Sequence, residues 1–251
     1  MSSLKLVSVN IELDKHLDLV RGFLAKEKPD VVCLQEVFEA DLDQLAKEFN
    51  MQAVFGQMSS IGKKDYNKPP FFPYGVGILS ELSIKSRQKL YYSGSEEMAK
   101  TRQFKDNSRE DGHLLVVTIV QKGEINFTIG TTHFTWSADG QADDLQKKDA
   151  RSLLAVAKEF PELMMVGDFN APRGGETFAS IAKQYTDNIP IEYTTSIDAD
   201  LHRDKEKIRE KSLMVDGLFT TKQYECKNVR LQNGISDHMA IVADVYKKQN
   251  E

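Results

Sequence analysis

Acidic, amide and imidazole side chains stand at the ends of several apolar, strand-like runs of this sequence. These residues are Asn10, Glu36, His133, Asp168, Asn170, Asp216, Asp237 and His238. Ligand sites in α/β sheets form where the ends of several strands converge. Each residue also has an ordinary structural use, because Asp and Asn favour turns and Glu36 is placed to cap a helix. The set as a whole is therefore what suggests a site.

The types of these side chains suit a hard metal ion together with proton transfer. The oxygen atoms of Glu36, Asn10 and Asp237 are of the kind that Mg²⁺ prefers, with Mn²⁺ as an alternative ion. Such an ion polarises a phosphoryl oxygen. His133 and His238 suit proton transfer or hydrogen-bond donation near neutral pH. The sequence has no paired cysteine ligands and no HExxH spacing, so it does not predict a zinc site.

The order of the apolar runs predicts an α/β fold in which two packed sheets carry helices on their outer faces. The opening "LKLVSVNI" and "DVVCLQEV" read as parallel strands joined by a helix that Asp14 caps. A second helix follows, with Leu42, Leu45 and Phe49 on its apolar face. Later strands and helices are read from "YGVGILS", "IKSRQKLYY", "HLLVVTIVQ", "INFTIGTTHF", residues 142–160, "ELMMVG", the run from Glu176, "SLMVDGLFT", "CKNVRLQ" and "MAIVADVY". We expect one domain over residues 1–251.

Three long stretches read as irregular, namely residues 59–73, 93–112 and 185–212. Loops of this length in a compact domain are usually functional or disordered. The Lys/Glu alternation of the third stretch indicates a solvated helix.

Bulk properties set limits on the class of protein. The chain has 251 residues, a net charge of -5 and two cysteines. The acidic balance gives no global footprint for nucleic acid, although a local basic groove remains compatible with it. Two cysteines make no disulfide framework, and Cys33 in "DVVCLQEV" reads as a small buried hydrophobe. No signal peptide and no apolar run long enough to span a bilayer is visible, so we expect a cytoplasmic monomer.

Five segments in order along the chain give the sequence a family resemblance. They are "LQEV", "TTHF", "VGDFNAP", "MVDGLF" and "ISDHMAIV". The chain resembles the endonuclease/exonuclease/phosphatase superfamily, which includes DNase I-like nucleases, abasic-site endonucleases, inositol-polyphosphate phosphatases, neutral sphingomyelinases and tyrosyl-DNA phosphodiesterases. The resemblance implies a four-layered α/β sandwich with the active site at one edge of the two sheets.

The resemblance also implies a role for each candidate residue. Asn10 and Glu36 look like metal-site residues, with Glu36 the principal ligand, and Asp237 lies beside the metal or its water. Asp168 looks like the residue that orients or deprotonates the attacking water. Asn170 and His238 look like hydrogen-bond partners of the phosphate, and Asp216 like the carboxylate that fixes the tautomer of His238. His133 matches the branch with a histidine here, where abasic-site endonucleases usually have tyrosine.

Two positions depart from the family pattern. Val9 stands where a Trp commonly precedes the first Asn, and Glu81 stands where a basic residue often follows the "ILS" strand. Neither departure removes a catalytic group, but both make it unsafe to take a substrate from a named relative.

The expected function is Mg²⁺-dependent hydrolysis of a phosphoester by direct attack of water, with diesters favoured slightly over monoesters. "YTTSIDADLHR" takes the place of a substrate-facing loop in tyrosyl-DNA phosphodiesterase-like relatives, so Thr195, Asp198, His202 and Arg203 are candidate rim residues; a capped surface helix is the alternative reading. Three rival functions remain open. A nuclease would use "GKKDYNKPPFFPY" as part of a groove, a lipid or inositol-phosphate esterase would use Phe71 and Phe72 as an exposed tip, and a binding protein would keep the fold without catalysis.

Overall fold

Strands and helices alternate along the residues that the computed structural model describes, which are 3–64, 68–103, 109 and 111–248. The strands are β1 (Ser3–Asn10), β2 (Val31–Phe38), β3 (Gln52–Gly62), β4 (Phe71–Ser80), β5 (Ser83–Ser93), β6 (His113–Lys122), β7 (Ile125–His133), β8 (Met164–Asp168), β9 (Thr186–Asp187), β10 (Asp216–Thr220), β11 (Tyr224–Gln232) and β12 (Ala240–Lys247). The helices are α1 (Leu17–Glu27), α2 (Glu39–Glu48), α3 (Glu96–Thr101), α4 (Asp144–Ala157), α5 (Glu176–Ala182) and α6 (Lys205–Arg209).

The strands of the described residues form two six-stranded mixed sheets. Their orders are β11-β12-β1-β2-β4-β3 in the first sheet and β5-β6-β7-β8-β10-β9 in the second. The pairs β1–β2 and β7–β8 are parallel, and in each case a helix lies between the two strands in sequence. The parallel pairing predicted for the opening of the chain is confirmed. The next neighbour of β2 is β4, which runs antiparallel to it.

Alternation along each strand divides its apolar residues between two faces, as the period of two requires. In β1, Leu4 and Leu6 face the other sheet, whereas Val7 and Val9 pack with Val20 of α1. The second sheet repeats this division, since its inner residues join the same central cluster while its outer residues pack against α4 and α5. The result is the predicted four-layered order of helices, sheet, sheet and helices. Each fully buried side chain of this kind contributes about 1.5–3 kcal/mol relative to exposure.

The inner faces of the strands carry the candidate site residues to the edge of this sandwich. In β7, Phe127 and Ile129 face the central core, so the same parity gives His133 the inner face. In β8, Met164 and Val166 face the central core, so Asp168 lies on the inner face. In β1, Leu6 faces the core, so Asn10 lies on the inner face. Polar side chains thus continue the inner face where the apolar core ends.

Two local predictions are wrong. Asp14 does not cap α1; the N-cap position is His16, and no side chain caps this helix. Part of the stretch 59–73 is regular, because Ser59–Gly62 of β3 pair with Phe71–Tyr74 of β4 as an extended hairpin.

The remaining stretches agree better with the sequence. Helix α3 lies within 93–112, where the Ser95 side chain accepts a hydrogen bond from the Met98 backbone amide at 3.2 Å. Helix α6 in the third stretch is solvent-exposed, as expected. Residues 65–67, 104–108 and 110, which belong to the first two stretches, lie outside the described residues. Cys33 is buried in the central core, and no described helix combines the length and apolarity needed to cross a bilayer.

Candidate active site

Three neighbouring strands of the second sheet place three polar residues side by side. His133 of β7 is paired with Asp168 of β8, and Asp168 is paired with Asp216 of β10. All three residues are at most 5% exposed. From the first sheet, Asn10 of β1 and Glu36 of β2 reach the same edge. The register of the strands therefore brings together residues that are far apart in sequence.

The side-chain amide of Asn10 connects the two sheets. Its Nδ2 donates to Glu36 Oε1 and to Asp168 Oδ2, both at 3.1 Å. Its Oδ1 accepts from the backbone amide of Glu12, also at 3.1 Å. Because the carboxylates need a donor and the backbone amide needs an acceptor, this orientation of the amide satisfies every partner. Asn10 thus holds two carboxylates in place, and its role as a metal-site residue stays a prediction.

Glu36 reaches the site through a bulge in β2. Val32 and Leu34 face outward to the helices, so strict alternation would send Glu36 there as well. The register of β2 against β4 instead shifts between Leu34 and Val37, and Glu36 takes a left-handed backbone conformation with φ of 50°. Bulges and positive φ values at non-glycine residues recur where a side chain is re-aimed at a functional site. The bulge turns the carboxylate of Glu36 into the cleft.

His133 lies between the two carboxylates that Asn10 holds. Its Nε2 is 3.5 Å from Asp168 Oδ2 and 3.7 Å from Glu36 Oε1. Both distances are longer than an ordinary hydrogen bond, so the ring nitrogen still has room for a ligand atom. The other ring nitrogen, Nδ1, is buried and has no hydrogen-bond partner among the described residues.

His238 and Asp216 form a buried pair. The distance from His238 Nδ1 to Asp216 Oδ2 is 2.8 Å, which confirms the predicted contact. Since a carboxylate only accepts, Nδ1 carries the proton, and Nε2 points toward Asp168 Oδ2 at 3.8 Å. Burial alone would lower the pKa of His238, but the charges of Asp216, Asp168 and Asp237 together raise that pKa well above its ordinary value. These carboxylates favour the charged imidazolium, whose Nε2 can donate a hydrogen bond.

Asp168 and Asn170 are fixed by a tight turn at the end of β8. The Asn170 backbone amide donates to Asp168 Oδ1 at 2.8 Å, and Asn170 Nδ2 donates to the Phe134 carbonyl at 2.9 Å. Asn170 has a φ of 47°, a left-handed conformation that Asn tolerates better than most residues. Both carboxylate oxygens of Asp168 thus accept a hydrogen bond, which fixes the orientation of this group.

Ser196 is a positioning residue that the sequence analysis missed. Its Oγ accepts from the backbone amides of Val215 and Asp216 at 3.1 and 3.0 Å. Its carbonyl accepts from the Met239 backbone amide at 2.7 Å. One residue thereby ties the start of β10 to the segment that holds His238. Its signal in the sequence is weak, because a single serine inside a loop has many ordinary uses.

The four candidate rim residues fall into two groups. His202 and Arg203 line the cleft. Thr195 and Asp198 are not among its lining residues; they shape the loop instead. Thr195 Oγ1 donates to the Leu213 carbonyl at 3.2 Å, and Asp198 Oδ2 accepts from the Gly234 backbone amide at 2.6 Å. The expected substrate role of these two residues has no support in their positions.

Glu36 and Asp237 are the groups best suited to hold a divalent cation. Both line the cleft, and both offer carboxylate oxygens. Burial raises the pKa of the Glu36 carboxyl, His133 opposes this, and the charge of Asp237 raises the pKa further. A cation beside these oxygens would stabilise the charged form that burial disfavours. Among the described residues, two groups of three place their ligand atoms within 4.8 Å of one another: Glu12, His16 and Asp237, and the buried Asp168, Asp216 and His238.

The cleft over these residues has a volume of about 620 Å³. Its lining includes residues that the sequence analysis did not select, among them Trp136, Lys207 and Lys211. Phe71 and Phe72 are half-buried, and the Phe72 ring packs edge-on against Phe38 with centroids 6.2 Å apart. These two phenylalanines therefore do not form the exposed tip that a lipid esterase would use.

Comparisons with known proteins show the family and the fold of the chain. A model of the endonuclease/exonuclease/phosphatase family matches residues 7–238. No curated protein matches the sequence significantly. Similar solved structures include an endonuclease/exonuclease/phosphatase from Bacteroides vulgatus (14% identity, TM-score 0.73, 99% of this chain and 100% of that chain). Another is the human Nocturnin catalytic domain with bound sulfate (15% identity, TM-score 0.70, 98% of this chain and 94% of that chain). A third is the mannosyl-6-phosphatase Bt3783 of Bacteroides thetaiotaomicron (12% identity, TM-score 0.68, 97% of this chain and 100% of that chain).

Proposed function

Because the chain belongs to the endonuclease/exonuclease/phosphatase family, we propose that it is a Mg²⁺-dependent hydrolase of phosphoesters, with phosphodiesters as the preferred class. The observation that carries this proposal is the contact of Asn10 with both Glu36 and Asp168. The amide of Asn10 holds the carboxylate of Glu36 at the cleft for a cation, and it holds the carboxylate of Asp168 within reach of the two histidines. Hydrolysis of a phosphoester needs one set of groups that binds the metal ion and another that transfers protons.

Glu36 and Asp237 would hold the ion, with Mn²⁺ as an alternative to Mg²⁺. When bound, the ion supplies charge to polarise the phosphoryl oxygen and to neutralise developing negative charge. The carboxylate of Glu36 needs no large movement for this role, because Asn10 and the bulge of β2 already fix its direction.

Asp168 is the group that we assign to the attacking water. Its Oδ2 lies near the Asn10 amide and near Nε2 of both histidines. A carboxylate fixed by two hydrogen bonds can orient a water molecule and accept its proton. The water then attacks phosphorus directly, opposite the leaving group, and no covalent bond to the protein is formed.

The two histidines act on the phosphoryl group and the leaving group. His238, held charged by Asp216, donates from Nε2 to a phosphoryl oxygen and stabilises the charge that develops there. His133 Nε2 is a second donor, from which the leaving oxygen takes a proton as its bond to phosphorus breaks. Asn170 lines the same cleft, and the second hydrogen of its Nδ2 is the donor that it can offer to a phosphoryl oxygen, because its Oδ1 only accepts.

A phosphomonoesterase is the second candidate. The fold neighbour from Bacteroides thetaiotaomicron bears the name of a mannosyl-6-phosphatase, but 12% identity supports only the shared fold. The same catalytic groups would serve either class of ester, so the substrate decides between the candidates.

A substrate panel tests the proposal. The purified chain is incubated with bis-p-nitrophenyl phosphate, p-nitrophenyl phosphate, sphingomyelin, inositol phosphates and short oligonucleotides, each with Mg²⁺, with Mn²⁺ and with EDTA. We expect metal-dependent release that is faster for the diester than for the monoester. Faster monoester hydrolysis would favour the second candidate. Absence of hydrolysis across the panel with either ion would contradict the proposal and favour a binding protein on this fold.

A further inference from the structure

Gln146 of α4 is a fully buried polar residue whose side chain joins two segments of the candidate active site. Its Nε2 donates to the backbone carbonyls of Thr135 and Asn170, both at 3.0 Å. Its Oε1 accepts from Thr177 Oγ1 at 2.8 Å. Because carbonyls only accept and a hydroxyl can donate, this orientation of the amide satisfies all three partners. Gln146 therefore ties the segment after His133 to the turn that carries Asn170.

Asn170 has a backbone conformation that needs restraint. Its φ of 47° lies in the left-handed region, and such conformations persist where the surrounding structure over-determines them. The Asn170 backbone amide is held by Asp168, and its side-chain Nδ2 is held by the Phe134 carbonyl. The hydrogen bond from Gln146 to the Asn170 carbonyl is the third restraint. With these three bonds in place, the second Nδ2 hydrogen can donate to a ligand in the cleft that Asn170 lines.

The segment that carries His133 has anchors of its own. His113 Nδ1 lies 2.9 Å from the carbonyl oxygen of His133, and this nitrogen is the donor because a carbonyl only accepts. Thr135 Oγ1 donates to Asp149 Oδ2 at 2.6 Å, and both side chains of this pair are buried. Loss of the buried glutamine amide should therefore displace the turn after β8 more than the end of β7.

We propose that Gln146 is a positioning residue, which holds the side chain of Asn170 in the direction from which its Nδ2 donates to a phosphoryl oxygen. This inference rests on the proposed function and adds a residue that acts through Asn170. Gln146 itself is not among the residues that line the cleft. A donor that is already in place where charge develops costs no reorganisation during the reaction. A buried residue that holds such a donor influences the rate without contact with the substrate.

A double-mutant cycle tests whether Gln146 acts through Asn170. Gln146→Met keeps the approximate size of the side chain but removes its amide. With bis-p-nitrophenyl phosphate and Mg²⁺, we expect Asn170→Ala to lower kcat on the order of a hundredfold and Gln146→Met on the order of tenfold, with KM nearly unchanged. In the Asn170→Ala background, Gln146→Met should cause no further loss of kcat. Losses of kcat that multiply in the double variant would overturn the inference.

Asn188 provides the matched control, because its side-chain amide also holds two backbone carbonyls but does not line the cleft. Its Nδ2 donates to the carbonyls of Thr186 and Leu218 at 2.8 and 3.0 Å. Asn188→Leu should lower the melting temperature, as Gln146→Met does, because both leave carbonyls without these donors. It should leave kcat at the wild-type level. An equal fall of kcat in both variants would show general loosening of the fold and would overturn the positioning role.

Thr177→Val gives a milder change, which keeps the test available if Gln146→Met does not fold. It removes the hydroxyl that is bonded to Gln146 Oε1 and nearly preserves the shape of the side chain. We expect a severalfold fall of kcat that disappears in the Asn170→Ala background. An unchanged kcat, or a loss that persists in that background, would contradict the inference.

A binding measurement separates this inference from the proposed function, because it needs no hydrolysis. The side-chain amide signal of Asn170, assigned by its absence from Asn170→Ala, is followed by NMR while inorganic phosphate is added with Mg²⁺ present. We expect a saturable shift in the wild type and a much smaller one in Gln146→Met. Equal shifts in both proteins, or no shift in the wild type, would overturn the positioning role even if the chain hydrolyses esters. The expected shifts in a chain that hydrolyses no ester would support the positioning role and contradict the hydrolase.

Discussion

The amide of Asn10 lies 3.1 Å from Oδ2 of Asp168, and this hydrogen bond joins the first sheet to the second at the candidate active site. The two residues are 158 positions apart in sequence. The same amide nitrogen also donates to Glu36, so one small side chain sets the separation of the buried Asp168 carboxylate and the partly exposed Glu36 carboxylate. The geometry of the site depends on how the two sheets pack as well as on each sheet.

Replacement of Asn10 by Asp tests this bridge. An aspartate of nearly the same shape cannot donate when ionised, and it adds a third negative charge beside Glu36 and Asp168. We expect kcat/KM to fall on the order of a hundredfold, and the acidic limb of the pH–rate profile to move to higher pH because like charges raise carboxyl pKa values. The profile is measured with bis-p-nitrophenyl phosphate. An unchanged profile would show that the bridge has no part in catalysis.

Replacement of Glu36 by Gln tests the metal site. The amide of Gln still accepts a hydrogen bond from Asn10 but gives up the charge, so Mg²⁺ binding at millimolar concentration and most of the activity should be lost. Because burial raises the pKa of Glu36, neutralising this group should leave the melting temperature of the metal-free protein nearly unchanged. Calorimetric titration with Mg²⁺ and thermal unfolding check the two statements. Unimpaired hydrolysis by the variant would contradict the assignment.

Replacement of Asp216 by Asn tests the pair that holds His238. The carboxylate raises the pKa of His238, so NMR titration of the ring should give a lower pKa in the variant than in the wild type. Activity should fall, while Mg²⁺ binding at Glu36 should persist. An equal His238 pKa in both proteins would contradict the proposed pair.

The same pair makes a signed contribution to stability. The pKa of His238 is raised above its value of 6.5 in the unfolded chain, so the charged imidazole stabilises the fold fully below pH 6.5. That contribution is lost as the pH rises through the folded-state pKa. The free energy of unfolding of the wild type minus that of Asp216→Asn should therefore decrease from neutral toward alkaline pH. Urea denaturation at several pH values measures this difference, and a difference that is constant or grows with pH would contradict it.

The sequence predicted the two sheets and the polar residues at the strand ends because apolar runs and the residues that end them are local signals. His133, Asp168 and Asp216 lie together at the ends of neighbouring strands, and Asp216 makes the predicted contact with His238. Glu36 reaches the cleft only through a bulge, which alternation does not reveal. The family resemblance had selected Glu36 without explaining its direction.

Residues that depend on how separate loops meet escaped prediction. Ser196 accepts from or pairs with backbone amides of two other segments. Trp136 and Lys207 line one cleft although they are far apart in sequence. Thr195 and Asp198 were chosen from their segment alone, and the structure uses both to shape the loop. Long-range placement of this kind follows from packing, which no local pattern of residues encodes.

The most direct measurement of the central claim is the kcat of Asp168→Asn for bis-p-nitrophenyl phosphate with saturating Mg²⁺. Asp18→Asn is the matched control, because it removes a carboxylate that is almost fully exposed on α1. We expect Asp168→Asn to lower kcat on the order of a hundredfold or more, as loss of a group that orients and deprotonates water implies, with the circular dichroism spectrum of the wild type. Asp18→Asn should hydrolyse the diester at the wild-type rate. A folded Asp168→Asn variant that hydrolyses the diester as fast as the wild type would contradict the claim that this cleft is the active site of a phosphoester hydrolase.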